Sequence, residues 1–210
     1  MATTDALDAV CDAIAHILRT SMTEQSAELG LGGINPRFSV YQSGDFSNPD
    51  PTRAVSSGAS VFLYRALPNL SHRTPSGAIL PDGRQRHSKL PLDLYILITI
   101  WGESPSTQNR LVGWVMRTLE DYPLIPASVL NIGNSETPIF EEHETVELLL
   151  SEMNGDELLQ LWDMLGGDGV FPYQVTIPYL VRNLFLESRR TMPVAEPVQV
   201  RTADMRRLVR

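Results

Sequence analysis

LPLDLYILITIW, residues 90–101, is the stretch on which the fold turns. Leu92, Leu94, Ile96, Ile98 and Ile100 fall on one side of an extended chain, with Tyr95, Leu97 and Trp101 on the other. A strand that is apolar on both sides must be covered on both sides, which places it at the centre of a sheet. At ~3.3 Å per residue it reaches about 40 Å, longer than a usual strand, so it is expected to run past the core at one end. Asp93 interrupts it and has two readings: a strand end in solvent, or an ion pair with an arginine at a subunit contact. The run falls well short of the roughly 20 apolar residues of a membrane-spanning helix, and no other stretch comes nearer.

Working outward, residues 105–122 read as a helix with Ser104 as N-cap, Pro105 in the first position and Leu111, Val115, Leu119 and Tyr122 as its buried stripe. Pro123 and Pro126 are expected to stop it. Residues 143–151 read as a strand with Val146, Leu148 and Leu150 on one face. Asn154 caps a helix over residues 155–165, with Leu158, Leu161, Trp162 and Leu165 inward and GGDG (166–169) ending it. Residues 171–186 are extended, and Pro178, lacking a donor, predicts an edge strand or a bulge there.

On the other side, residues 68–89 form a long connection with three prolines and a PDGR turn signal at its tip, which reads as a projecting, hairpin-like arm. ASVFLYRAL (59–67) is an interior strand. Residues 44–52 are a loop, and residues 36–42 a short strand with Phe38 and Val40 on one face. An amphipathic helix over residues 5–22 carries Leu7, Val10, Ile14, Ile17 and Leu18, with Asp5, Asp8 and Asp12 near its positive end. The order predicts an α/β or α+β domain over residues 1–186: a single mixed sheet packed with about three helices, followed by a tail at 187–210.

Charge divides the chain along the same line. The net charge is −8 at pH 7, yet residues 187–210 hold six arginines against three acids. That +3 tail leaves −11 on the rest. An acidic body argues against a protein that coats nucleic acid, which needs clustered Lys and Arg. It leaves the basic tail as a nucleic-acid arm or, fitting the charge balance better, an arm onto an acidic neighbour. The arm is basic too, with Arg73, Arg84, Arg86 and Lys89 against Asp82. These four, with Arg189, Arg190, Arg201, Arg206, Arg207 and Arg210 of the tail, are the candidate contacts to an acidic neighbouring copy or subunit. Residues 1–25 lack the basic and apolar regions of a secretion signal, and the single cysteine, Cys11, permits no intrachain disulfide.

No residue pattern calls for catalysis, a metal or a cofactor. Cys11 sits beside Val10 on a helix, as a core thiol does. His16, His72, His87 and His143 share no ligand spacing, and the acids around His143 in EEHE (141–144) alternate between faces of a strand. The glycine clusters at 30–33 and 166–169 end helices instead of opening them on a phosphate. Trp101, Trp114 and Trp162 fall on core elements.

Two stretches resemble a known family: LPLDLYILITIWGESPSTQNRLVGWVMRTLEDYPLIPASVL and LLQLWDMLGGDGVFPYQVTIPYLV. Leu90–Trp101, Leu111–Leu130, Leu158–Gly166 and Pro172–Pro178 match the N-terminal domain of cap proteins of extracellular contractile injection systems, the antifeeding-prophage type. With the upstream strand SVFLYRAL, the resemblance covers most of residues 6–186. It implies a tail-terminator fold and a structural, non-enzymatic role. Copies would form a six-membered ring on the last layer of inner tube and sheath, partnering the tube and sheath proteins, with assembly in the cytoplasm. Larger family members carry more C-terminal sequence than this arginine-rich tail. The alternatives are a terminator or adaptor ring of a true contractile phage tail and, from another class, a small-ligand-binding α/β domain.

Overall fold

The computed structural model describes residues 4–29, 34–48, 50–52, 54–73, 77, 79–134, 136–165, 173–188 and 190–192. Its elements run α1 (Ala6–Leu29), β1 (Arg37–Tyr41), β2 (Gly58–Pro68), β3 (Gln85–Arg86), β4 (Leu90–Trp101), α2 (Pro105–Glu120), β5 (Leu124–Pro126), α3 (Ala127–Leu130), β6 (Thr145–Leu150), α4 (Gly155–Leu165), β7 (Thr176–Leu186) and β8 (Thr191–Met192). Six strands form one mixed sheet in the order β1-β2-β4-β7-β6-β5. Only β1 and β2 run parallel; the remaining pairs are antiparallel.

β4 is the central strand its pattern demands. Leu94, Ile96, Ile98 and Ile100 are fully buried against α1, α2 and α3. Each such side chain removed from water contributes about 2 kcal/mol. Leu97 faces the opposite side, beneath α4 and a short 3-10 turn (Ser43–Phe46). Phe46 centres that smaller core, its ring 5.5 Å from Tyr41, 5.3 Å from Phe62 and 5.7 Å from Trp162. The indoles find polar partners: Trp101 donates to Ser60, Trp114 to Gln25 and Trp162 to Thr176.

Several expectations need correction. α1 continues to Leu29, past the expected end at residue 22, and beside the three expected helices stands α3, a single turn of four residues too short to show a period. Pro126 does not merely stop α2; it ends β5 and precedes α3. Tyr122 and Leu150 lie past the covered surface and are 40% and 45% exposed. β7 is interior, between β4 and β6, not at an edge. Pro178 is tolerated because its missing N–H would face Ser151, the first residue after β6, whose own N–H donates to the Pro178 carbonyl at 3.0 Å. The bulge in β7 sits instead at Arg182 and Asn183, which together oppose Asp93, with Asn183 at φ 62.

β2 bulges at Tyr64, so both neighbours of β4 shift register around Asp93–Ile96. Bulges add local twist, and here they mark where the sheet leaves the core and turns into the arm. At the other end of β2, Gly58 (φ +132) lies so close to β1 that a Cβ would stand 1.9 Å from the Arg37 carbonyl oxygen. Only glycine permits the parallel β1–β2 pairing to begin there.

Candidate assembly surface

The arm is rooted by one side chain. Asn69 donates its amide N–H groups to both Asp93 carboxylate oxygens, at 3.1 and 3.2 Å, while its own amide oxygen accepts from Ser71 N and opens a 3-10 turn (Leu70–His72). Its backbone N–H bonds the Pro91 carbonyl at 2.9 Å. Asp93 therefore does not stand free in solvent: it is half-buried and within the chain it anchors the arm through Asn69.

The tip is a hairpin, as the PDGR signal predicts. Leu80 N donates to Arg84 O at 2.8 Å and Gly83 N to Leu80 O at 2.9 Å, with Gly83 at φ +81. Asp82 accepts from the Arg84 backbone at 3.0 Å and from its guanidinium, and these bonds hold the Asp82 carboxyl below its ordinary value. Ile79 bridges Gln85, and β3 then pairs with β8, Gln85 opposite Met192 and Arg86 opposite Thr191. The start of the predicted tail thus folds back onto the arm of its own chain.

Glu187 locks that pairing. Its carboxylate, 11% exposed, receives Arg86 at 2.7 Å and Lys89 at 2.5 Å. Of the sequence-derived contact residues, Arg86 and Lys89 therefore converge on Glu187, and Arg84 turns back on Asp82. Arg73 and Arg190 are exposed, the latter's backbone N–H donating to Ser188 Oγ. Arg189, Arg201, Arg206, Arg207 and Arg210 lie outside the described residues. Residue counting assigned Glu187 to the tail and missed its role, because the pairing spans 101 residues of chain. The outer surface of the arm also bears Leu70 and Ile79, 73% and 74% exposed.

A second feature lies along the β1 edge of the sheet. A groove of about 490 Å³ runs between β1, from Phe38 to Gln42, and a wall of α1 bearing Asp8, Asp12 and Arg19. Burial first, and then Asp8, push the Asp12 carboxyl up; Arg19 partly offsets them.

The groups that could carry chemistry are disposed for structure. Burial, with Asp8 and Asp12 behind it, pushes the Cys11 thiol up to about 12, so the thiolate is not formed near neutral pH. His143 lies in a turn before β6, not in a strand, 3.6 Å from Glu141. No group of three or more His, Cys, Asp or Glu among the described residues is arranged to hold a metal ion. No helix among them is long and apolar enough to cross a membrane.

A family model described as the Pvc16 N-terminal domain matches residues 9–200 of the chain. Among solved structures, the tube-terminating cap of the anti-feeding prophage superposes with a TM-score of 0.50 at 16% identity, over 88% of this chain and 60% of that one. The sheath/tube terminator of an extracellular contractile injection system, PVC, in its extended state aligns with a TM-score of 0.47 at 14% identity, over 88% of this chain and 61% of that one. The chain thus spans about 60% of the length of these structures. No curated protein sequence matches it.

Proposed function

The chain belongs to the Pvc16 N-terminal domain family, and from that premise we propose that it is a tail terminator, the cap subunit that ends the inner tube of a contractile injection system. The observation that carries this reading is the family match across residues 9–200, nearly the whole described domain. The fold shared with an anti-feeding prophage cap supports it.

A terminator must present one face that fits the last layer of a tube and none that continues it. Head-to-tail contacts that close into a ring meet that need, because closure consumes every lateral surface. Six copies is the stoichiometry proposed, matching the inner tube layer beneath, with the terminal sheath layer as the second partner. The role is structural and non-enzymatic, needs no cofactor, and is filled by assembly in the cytoplasm into the particle. The arm, projecting from the end of the sheet with Leu70, Ile79, Arg73 and Arg190 outward, is the proposed grip on neighbouring subunits. Apolar anchors rimmed by charge suit such contacts, the charge setting register and the apolar groups supplying affinity.

The test is assembly. Light scattering and negative-stain electron microscopy of the purified chain, alone and with tube subunits, should show a closed ring. A strict monomer that ignores tube subunits overturns the reading.

A further inference from the structure

The outer edge of β1 is built to accept a strand. Arg37 N donates to Ser57 O at 2.8 Å, so the backbone groups of Arg37, Ser39 and Tyr41 point to β2. Those of Phe38 and Val40 point away from it into the groove, where they meet no partner among the described residues. Edge strands are usually blunted by proline, lysine or a bulge. β1 has no proline, lysine or bulge, its one charge is Arg37 at its start, and Asp8, Asp12 and Arg19 of α1 stand beside it.

The chain itself holds a segment of complementary character. Residues 193–210 carry four arginines against two acids. Within them Val198-Gln199-Val200-Arg201-Thr202 alternates β-branched and polar residues, the pattern of a strand with one apolar and one polar side. We infer that residues 198–202 of one copy add a strand to the β1 edge of the next copy, with Gln199 and Arg201 toward α1. That orientation sets the Arg201 guanidinium against Asp8 and Asp12 and lays Val198 and Val200 beside Tyr41. Backbone bonding supplies affinity in strand addition, and the flanking side chains supply register. The inference rests on the ring reading and gives it a lateral joint: each copy donates at one side and accepts at the other, as a closed head-to-tail ring requires.

Two differently tagged full-length copies, one with Ser39→Cys and one with Val200→Cys, test this by oxidative cross-linking; Cys11 is buried and silent. A disulfide joining the two tags is expected. Val40→Pro, which removes one outward N–H and leaves the β1–β2 ladder intact, should lower its yield roughly tenfold, against less than about twofold for Val40→Ala. Should the proline variant not fold, Asp8→Asn with Asp12→Asn must lower the yield by about threefold and remove its salt sensitivity. With both cysteines in one copy, a link that forms only within a chain overturns the proposal. So does the absence of any link in a sample that scattering shows to be a ring. A monomer without links overturns both the joint and the cap reading.

Discussion

The two ends of β4 are held by different forces. From Leu94 to Trp101 the strand lies between apolar layers, with Ile96, Leu97 and Ile98 wholly out of water. From Leu90 to Asp93 it still pairs with β2 and β7 and keeps Leu92 in the core, but it leads into the arm, where a few polar contacts do the holding: Asn69 on Asp93, and Arg86 and Lys89 on Glu187. Apolar burial sums over many side chains and cannot be undone piecemeal. Hydrogen bonds and partly exposed ion pairs are each worth about a kilocalorie or less, and they can be released one at a time. One end of the strand therefore sets the stability of the domain, while the other can move without unfolding it, which suits an element that has to fit itself to a neighbour.

Truncating Ile96 to alanine should have the largest effect. It leaves a cavity in the layer shared with α1 and is expected to cost about 3–4 kcal/mol by denaturant unfolding. Cys11, in the same layer, is a built-in reporter: its thiol should label slowly in the native protein and markedly faster in Ile96→Ala, as opening becomes more frequent. A loss under ~1 kcal/mol would mean that the two ends of β4 do not differ as described.

Glu187→Gln acts on the other end. Removing the anion between Arg86 and Lys89 should change global stability by about 1 kcal/mol or less. Hydrogen exchange at the β3–β8 pairing should nonetheless speed up, with the amides of Ile96 and Ile98 unchanged, and ring formation should weaken. A global loss as large as that of Ile96→Ala would make the arm a part of the core.

The same contrast governs what could be read from the sequence. The alternation in residues 90–101 and the spacing of Leu111, Val115 and Leu119 are local consequences of burial, and both placed their elements correctly. Asn154 capped its helix as predicted, with Asp156 N on its side chain, because a cap is settled within two or three residues. Three features were not legible. Phe46 was hidden in a polar loop; it is buried because Tyr41, Phe62 and Trp162 meet it from β1, β2 and α4. Asp93 was read as a strand end or an ion pair and Glu187 as tail, and each owes its contact to a partner 24 or 101 residues away. The open β1 edge follows from sheet order, which no local pattern encodes. The arm's cations were read as contacts to a neighbour, and counting charges could not show that Arg84, Arg86 and Lys89 meet acids within the chain.

The smallest expected effect isolates the arm's tip. Asp82 is fully exposed, and its carboxyl is held below the ordinary 3.8 by the Arg84 side chain first and the Arg84 backbone second. A carboxyl depressed in the folded state binds its proton less readily there than in the unfolded chain. Its contribution is therefore present above the unfolded value and is lost as pH falls through the lower, folded one. Solvent screens an exposed pair, so no shift in the midpoint of unfolding should accompany this titration. The observable is local: in a carbon-detected NMR titration Asp82 should reach its midpoint below 3.8, and Arg84→Gln should bring it back up, leaving only the backbone bond to depress it. Because the hairpin bonds from Leu80 to Arg84 and Gly83 do not use the carboxylate, the turn should survive acidification. If the cross-strand contacts of Ile79 with Gln85 vanished with Asp82 protonation, the charge pair, and not the backbone, would be what shapes the tip.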